Sequence, residues 1–560
     1  MVSFLIHGRP MAERNKSHKR HKARRCIRMK HHGGSPDQWG ALFGEEKVQS
    51  YPQQDVPFWY VNTSLDTTIS PAPEPIAGPP TSMEMFELLM SQWHPQHEPH
   101  FYQEMVRRFC LEADMTILSN GGDDRVTRPV ALLDDRNRGT GADERRGNYR
   151  KWKGALSAHQ LYHELRKRRF MESPLSQNRG YRLPEQEMSE ANAERRILYV
   201  ADPDSWATLA VVATAPRNQA AYLGEFLFRY FTSKAFFHIN MPSGVGFNTY
   251  ALEFHLPFYA LKSYTAPITD KRLRADGRPL RDSWYQPFLT SDSTDAKSGW
   301  RPEGPHDAMI SIHEGSVSVI ITGFDPRSWC GVGFVDAYYN GDSPSNPEAV
   351  TNIAQCFTTS ADGERRPIWD PLGLCEVYAD TPLWRPQQYF PRILELHVRQ
   401  VRLKWQDVAE YILQRTEPYF HPTSSIYPSD AMAPNDPERH ASFRSIQGSI
   451  TRTLKLMDNV VARITKTTDA WNSFREHLAE ITTASGHQEY PNMLFRKVDT
   501  HMTNLTAMCG EISVQRQRLE NLWKQIYSKT TSPSRQIRNK PENERMDWQL
   551  LQSSLHPLDS

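Results

Sequence analysis

Between Leu394 and Ile526 apolar residues recur on a four-three rhythm, three times over, and no other feature limits the fold so tightly. The first run is Leu394, Val398, Val401, Trp405, Val408 and Ile412. The second is Ile446, Ile450, Leu454, Met457, Val461, Ile464, Trp471, Leu478 and Ile481, with one stutter and Thr468 standing where an apolar residue is due. The third is Leu494, Val498, His501, Leu505, Met508, Ile512, Gln515, Leu519, Leu522 and Ile526, unbroken, with only His501 and Gln515 polar. Such spacing draws one apolar stripe along a helix. It predicts three long helices over residues 386–528, an antiparallel bundle or coiled-coil stalk about 40 to 60 Å long at 1.5 Å rise per residue. Loops at 416–440 and 484–492, rich in Pro, Ser, Asn and Gly, allow the reversals. His501 reads as a register-setting polar residue rather than a ligand.

Residues 191–385 mix two periods. Arg196-Ile-Leu-Tyr-Val-Ala201 reads as a buried strand, and Asp202-Pro-Asp204 as an acidic cap on a helix through Ala207 to Ala213. Tyr222, Leu223, Phe226, Leu227, Tyr230 and Phe231 then line one face of a second helix. Segments 236–239, 250–256, 309–312, 317–321 and 332–338 read as strands. Helices and strands alternate without a regular βαβ beat, which gives an α/β or α+β mixed-sheet domain.

The flanks are different. Nine Lys and Arg residues crowd positions 14–30, and prolines crowd 71–80, so residues 1–80 read as a disordered basic and Pro-rich region. The basic block suits a nuclear-localisation signal, a nucleic-acid patch or a solubilising tail. Residues 81–190 read as a helical and charged connecting region, and 529–560 as a polar tail. Across all 560 residues only 38% are hydrophobic and 40 prolines outnumber 29 glycines, which fits folded parts set among irregular chain. A net charge of +2 names no partner. Six scattered cysteines without CxxC spacing argue against a zinc ribbon or a disulfide framework. Val2-Ser-Phe-Leu-Ile6 is too short for a secretory signal, and the longest apolar stretch, Ala207 to Ala215, is half of a membrane span. The expected location is cytoplasmic or nuclear, with no membrane span.

No GxSxG, GxxxxGK, HExxH or strand-following GxGxxG motif is present. Asp202 and Asp204 could form a carboxylate pair, with helix capping as the competing role. Asp325, Asp336, Glu314, His313 and His255 surround the same strands and could share a cleft. His94, His97 and His100 offer metal-ligand chemistry, but Pro95 and Pro99 deny them a helical face. Basic and aromatic residues interleave from Arg145 to Phe170, which suits single-stranded nucleic acid or a basic helix C-terminus. Gly331, Gly333, Gly244 and Gly246 read as turns or close packing, and Cys330 as a small buried residue. No catalytic, cofactor or metal residue is assigned.

Several stretches carry a resemblance: Leu156-Ser-Ala-His-Gln-Leu-Tyr-His-Glu-Leu165, Arg195-Arg-Ile-Leu-Tyr-Val-Ala-Asp-Pro-Asp-Ser-Trp206, Phe254-His-Leu-Pro-Phe-Tyr259, Trp329-Cys-Gly-Val-Gly-Phe-Val-Asp-Ala-Tyr338 and Leu383-Trp-Arg-Pro-Gln-Gln-Tyr-Phe390. Over residues 148–528 the chain resembles a filamentous-fungal protein group distantly similar to the cytosolic part of CorA-like magnesium transporters. The resemblance implies an α/β domain followed by long stalk helices. A pore helix and its Gly-Met-Asn signature are missing after Ser528, so it implies a relative or truncated form of the cytosolic part. The leading functional expectation is a non-enzymatic interaction or scaffold protein that binds a protein partner or itself through residues 386–528. A divalent-cation-sensing transporter relative and a nucleic-acid-binding protein are the alternatives.

Overall fold

In the computed structural model, residues 57–58, 81–91, 99–138, 147–150, 154–170, 192–240, 249–264, 267–274, 276–285, 309–324, 327–340, 369–420, 437–484 and 493–531 are described. Among them are the strands β1 (Pro129–Asn137), β2 (Asn148–Tyr149), β3 (Leu156–Ser157), β4 (Arg195–Ala201), β5 (Phe236–Asn240), β6 (Tyr250–Tyr264), β7 (Ser283–Tyr285), β8 (Met309–Gly323) and β9 (Trp329–Val335). They form one mixed sheet in the order β2-β1-β4-β9-β8-β6-β5, with β3 also on β1 and β7 on β8. The β4–β9 pair is parallel, with Leu198 beside Val332, and the others are antiparallel.

The period of two sorts side chains onto two covered faces. Ile197, Tyr199 and Ala201 of β4 join one hydrophobic cluster while Leu198 and Val200 join the other. The second of these faces is covered by α1 (Ser82–Ser91), α2 (Pro99–Phe109), α3 (Met115–Asn120), α4 (Asp124–Thr127), α5 (Ala158–Arg166), α6 (Ser205–Thr214) and α7 (Arg217–Phe231). Local chemistry starts these helices. The Asp114 carboxylate accepts from two amides at the head of α3, Ser157 and Gln160 form a capping box on α5, and Asp204 caps α6.

The other face carries α8 (Pro386–Thr416), α9 (Pro437–Ala484) and α10 (Met493–Thr531), of 31, 48 and 39 residues. At 1.5 Å per residue they run about 46, 72 and 58 Å. All three expected helices are present, and α9 is longer than its apolar run implied. Trp471 meets Asp499 and Asp458 meets Arg516, so α9 and α10 are antiparallel. Glu395 faces His501 and Thr416 faces Gln515, so α8 and α10 run the same way.

Much of the four-three spacing is satisfied by the sheet. Ring centroids of Phe254 and Phe390 lie 6.0 Å apart, of Tyr259 and Trp405 5.1 Å, and of Phe237 and Trp471 5.4 Å. One cluster runs from β6 and β8 through α8 and α9 into α10. A helix covering a sheet needs the same stripe as a helix in a coiled coil, so spacing alone could not separate them.

Other boundaries move as well. Segments 309–312 and 317–321 are parts of one strand, β8, and β6 continues to Tyr264. Strand β1 comes from the stretch read as connecting chain, where Asp134, Asp135 and Arg136 disguise a buried strand. No helix among the described residues is long and apolar enough to cross a membrane. Residues 1–56, the His94 and His97 positions and residues 532–560 lie outside the described residues.

Candidate functional site

The parallel pair sets the most distinctive geometry. After β4 the chain turns through Asp202 into α6 on one face; after β9 it passes through the short 3-10 helix Tyr338–Asn340 and reaches α8 on the other. Where neighbouring parallel strands send their connections to opposite faces, a crevice opens at their carboxyl ends, the usual ligand position of α/β sheets.

Asp202 closes this crevice. Its backbone N–H donates to Val335 O at 2.9 Å, and its Oδ1 accepts from Ala337 N at 2.7 Å and Tyr338 N at 2.9 Å. Its φ of 47° is left-handed, a conformation tolerated better by Asp and Asn than by most side chains. Burial pushes its carboxyl up to about 6, with Asp336 adding to the rise and Arg272 opposing it.

Behind Asp202 lies a buried ionic cluster. The Asp336 Oδ2 accepts from Arg281 Nε at 2.6 Å and Ser316 N at 2.8 Å, and Oδ1 accepts from the Tyr230 hydroxyl at 2.5 Å. Arg272 lies 2.9 Å from Asp336, 2.7 Å from Asp270 and 3.9 Å from Asp202. Burial alone would raise the Asp336 carboxyl, but Arg281 and Arg272 outweigh it and hold it below the ordinary range. Three carboxylates face two guanidiniums, so a proton on Asp202 brings the cluster to neutrality. The carboxylates are occupied by guanidinium, hydroxyl and amide donors. Among the described residues no group of three or more His, Cys, Asp or Glu side chains is placed to hold a metal ion.

On the α8 side of the crevice a cavity of about 10 Å³ is lined by Tyr199, Phe258, Tyr339, Gln400, Val401 and Lys404, among others. That is room for one water-sized group. The Tyr339 hydroxyl is buried and has no hydrogen-bond partner. Burial lowers Lys404 to about 8, with the charge of Lys262 acting in the same direction and Asp407 opposing.

A second constellation has catalytic connectivity without access. His255 Nδ1 lies 2.7 Å from Ser318 Oγ, and its Nε2 lies 2.5 Å from Glu253 Oε1. This is the order of a Ser-His-carboxylate triad. Ser318 and His255 are both 0% exposed, however, so a substrate carbonyl cannot reach the hydroxyl. Glu253 is held down to about 2 because Arg229 and His255 overcome the effect of burial. The group is a cross-strand hydrogen-bond network inside the sheet, with His255 opposite Ser318 in the β6–β8 register.

No protein-family model matches this sequence, and no curated protein matches it either.

The residues grouped from sequence divide among several places. Asp336 lies in the cluster, with Asp202 beside it, while Asp204 Oδ1 accepts from Ala207 N at 2.8 Å as the cap of α6. Glu314 binds Arg463 of α9 and the Asp282 amide. His313 sits between Ser283 and Ser311. His501 approaches Glu395 at 3.8 Å, and Cys330 is buried with its thiol pushed up by that burial. Gly333 is a close-packing site, since a Cβ there would lie 2.3 Å from Leu372 Cδ2. Asp325, Gly244, Gly246, Arg145 and Arg146 lie outside the described residues. Arg169 is buried and donates to the carbonyls of Ala193, Glu194 and Trp329. Arg150 and Arg196 both pair with Asp135. Sequence reasoning missed Arg272, Arg281 and Asp270, which read as surface charges in a loop, and Lys404, which reads as the polar side of a helix.

Proposed function

We propose that this protein works by assembly rather than by turnover, with α10 as the face that meets a second copy of the chain. The observation behind this reading is a row on the outside of α10. Thr503, Ala507, Gly510 and Val514 are all exposed and follow the four-three-four spacing of a helix-packing seam, on the side away from the buried stripe Leu505, Ile512, Leu519 and Ile526. Val514 is 63% exposed. A Cβ built at Gly510 would meet nothing within 4 Å, so a second helix could approach closely there. A row crossing its own copy about a two-fold axis is self-complementary, as a closed dimer requires.

Gly510→Arg tests this cleanly. The position is open, and replacing a mid-helix glycine improves helix propensity by up to about 1 kcal/mol. Sedimentation velocity at micromolar concentration should give a dimer for the natural chain and a monomer for Gly510→Arg, with no loss of thermal stability. A natural chain that is monomeric under those conditions overturns the reading.

A further inference from the structure

Residues 369–379 form a closed loop on the α8 side of the sheet, and its base and its tip are held differently. The base is tied firmly. Trp369 and Tyr378 bridge and stack, with ring centroids 4.2 Å apart, and the Asp370 amide donates to Val377 O at 2.8 Å. The Asp370 carboxylate is buried against Arg195 and accepts from the Tyr389 hydroxyl at 2.7 Å. The tip, residues 372–376, rests on α8 and β9 through three contacts. Leu372 fills the space that a Cβ on Gly333 would need, Leu372 O lies 3.1 Å from His397 Nε2, and the exposed Glu376 pairs with Arg392 and Arg399. Leu374 and Cys375 follow one another at φ of 50° and 59°. Neither is a glycine, so the tip holds a crowded left-handed pair.

We propose that this tip is a lid latched by His397, and that it lifts off β9 as a unit when the imidazole takes a proton. A carbonyl oxygen only accepts, so Nε2 carries the hydrogen of the Leu372 bond and Nδ1 is the bare nitrogen. His397 is 0% exposed, and its Nδ1 has no hydrogen-bond partner among the described residues. A proton there is a buried donor and a buried charge with nothing to accept it. The neighbouring elements offer no counter-charge. From β6 the ring meets Phe254, centroids 5.9 Å apart, and from the loop it meets the Leu372 carbonyl. The carboxylates of these elements are engaged elsewhere: Asp370 with Arg195, Glu376 with Arg392 and Arg399, Glu253 of β6 with Arg229, and Glu395 of α8 with Arg392, His501 of α10 being 3.8 Å from it. Charging the ring therefore requires water at Nδ1. Helix α8 cannot admit it by moving, because Leu394, Leu396, Val398 and Val401 are buried in the core. The tip can, because opening relaxes its left-handed pair while the Trp369–Tyr378 base stays as the hinge. Lifting Leu372 uncovers Gly333, where β9 presents bare backbone beside Tyr199 of its parallel neighbour.

The test is hydrogen exchange on the full chain, read residue by residue by mass spectrometry and corrected for the intrinsic exchange rate at each pH. The reporters are the amides of Leu372, Gly373 and Glu376, which donate to Asp370 Oδ1, Asp370 O and Gly373 O within the loop. They should open together, more often than the slowest amides of β6 and β8. Burial holds His397 at about 4 in the closed state, against 6.5 for an ordinary histidine, so the opening constant should rise about twentyfold from pH 7 to pH 5. His397→Gln keeps a donor for Leu372 O and cannot take the proton, so the rise should vanish with the tip still closed at pH 7. Gly333→Ala should open the tip at pH 7 while β6 and β8 keep their protection. Tip amides that open only together with β6 and β8, at one shared frequency, overturn the lid. A rise of the same size in His397→Gln overturns the latch. None of these results bears on dimerisation through α10.

Discussion

The Asp202 carboxylate accepts the amide of Ala337 at 2.7 Å, so the residue that ends one strand of the parallel pair pins the chain leaving the other. The same carboxylate lies 3.9 Å from Arg272, within a cluster holding one more acid than base. Its geometry favours an acceptor, and its surroundings disfavour a charge.

Asp202→Asn separates those two demands. The amide oxygen still accepts from Ala337 and Tyr338, asparagine tolerates the left-handed backbone, and no charge remains. Because the native carboxyl sits at about 6 against an ordinary 3.8, the folded state holds a proton that the unfolded chain has released between those values. This group's contribution to stability therefore falls as pH rises from 4 to 6, by up to about 3 kcal/mol, less some screening. Urea unfolding should show Asp202→Asn to be more stable than the natural chain at pH 7 by about 1–3 kcal/mol, with the difference vanishing near pH 4. Equal stabilities at both pH values would contradict the assignment.

Two buried histidines act with the opposite sign. Burial lowers His313 and His397 to about 4, and His397 Nε2 lies 3.1 Å from Leu372 O, so both are neutral in the folded protein. Below 6.5 the unfolded chain takes up protons that these sites refuse, and stability is lost as pH falls toward 4. His397→Gln should flatten the acid limb of the stability curve between pH 6.5 and 4, at the cost of lower stability at pH 7. An acid limb of unchanged slope would refute the neutral assignment.

The ion pair of Arg463 and Glu314 ties α9 to the sheet, and Arg463 also covers the Tyr259 ring at 5.1 Å. Glu314 is almost fully buried. Removing only the arginine takes away the nearest cation and leaves the buried charge to Arg274, 4.0 Å away, and to Arg281, so Arg463→Ala should destabilise by about 2–4 kcal/mol. Combining Arg463→Met with Glu314→Gln should recover most of the loss in chemical denaturation. A double variant as unstable as the single one would mean that the cost lies in lost packing.

The helices were legible because the seam residues of each run sit on a four-three period, broken by one stutter and Thr468 in the second. What covers those seams was not, because a sheet and a partner helix ask for the same stripe. Strand β4 announced itself through Ile197 to Ala201, whereas β1 hid behind Asp134, Asp135 and Arg136. Those charges are tolerated inside the sheet because they pair, Asp134 with Arg136 and with Arg195 of β4, and Asp135 with Arg150 and with Arg196 of β4. The site was half visible. Asp202 and Asp336 stand beside strand ends in the sequence, but their partners Arg272 and Arg281 come from loop chain with no periodicity.

The three long helices belong to one body with the sheet. Trp405 and Trp471, each at most 2% exposed, sit where α8 and α9 meet β6 and β5. Trp405→Ala should cost about 3–5 kcal/mol. Native-state hydrogen exchange on the natural chain is the direct test. The slowest amides of β6, β8, α8 and α9 should share one opening free energy, and Trp405→Ala should lower all of them together. Helices that open at a lower free energy than the sheet, with sheet amides unmoved by Trp405→Ala, would contradict it and restore an independent stalk.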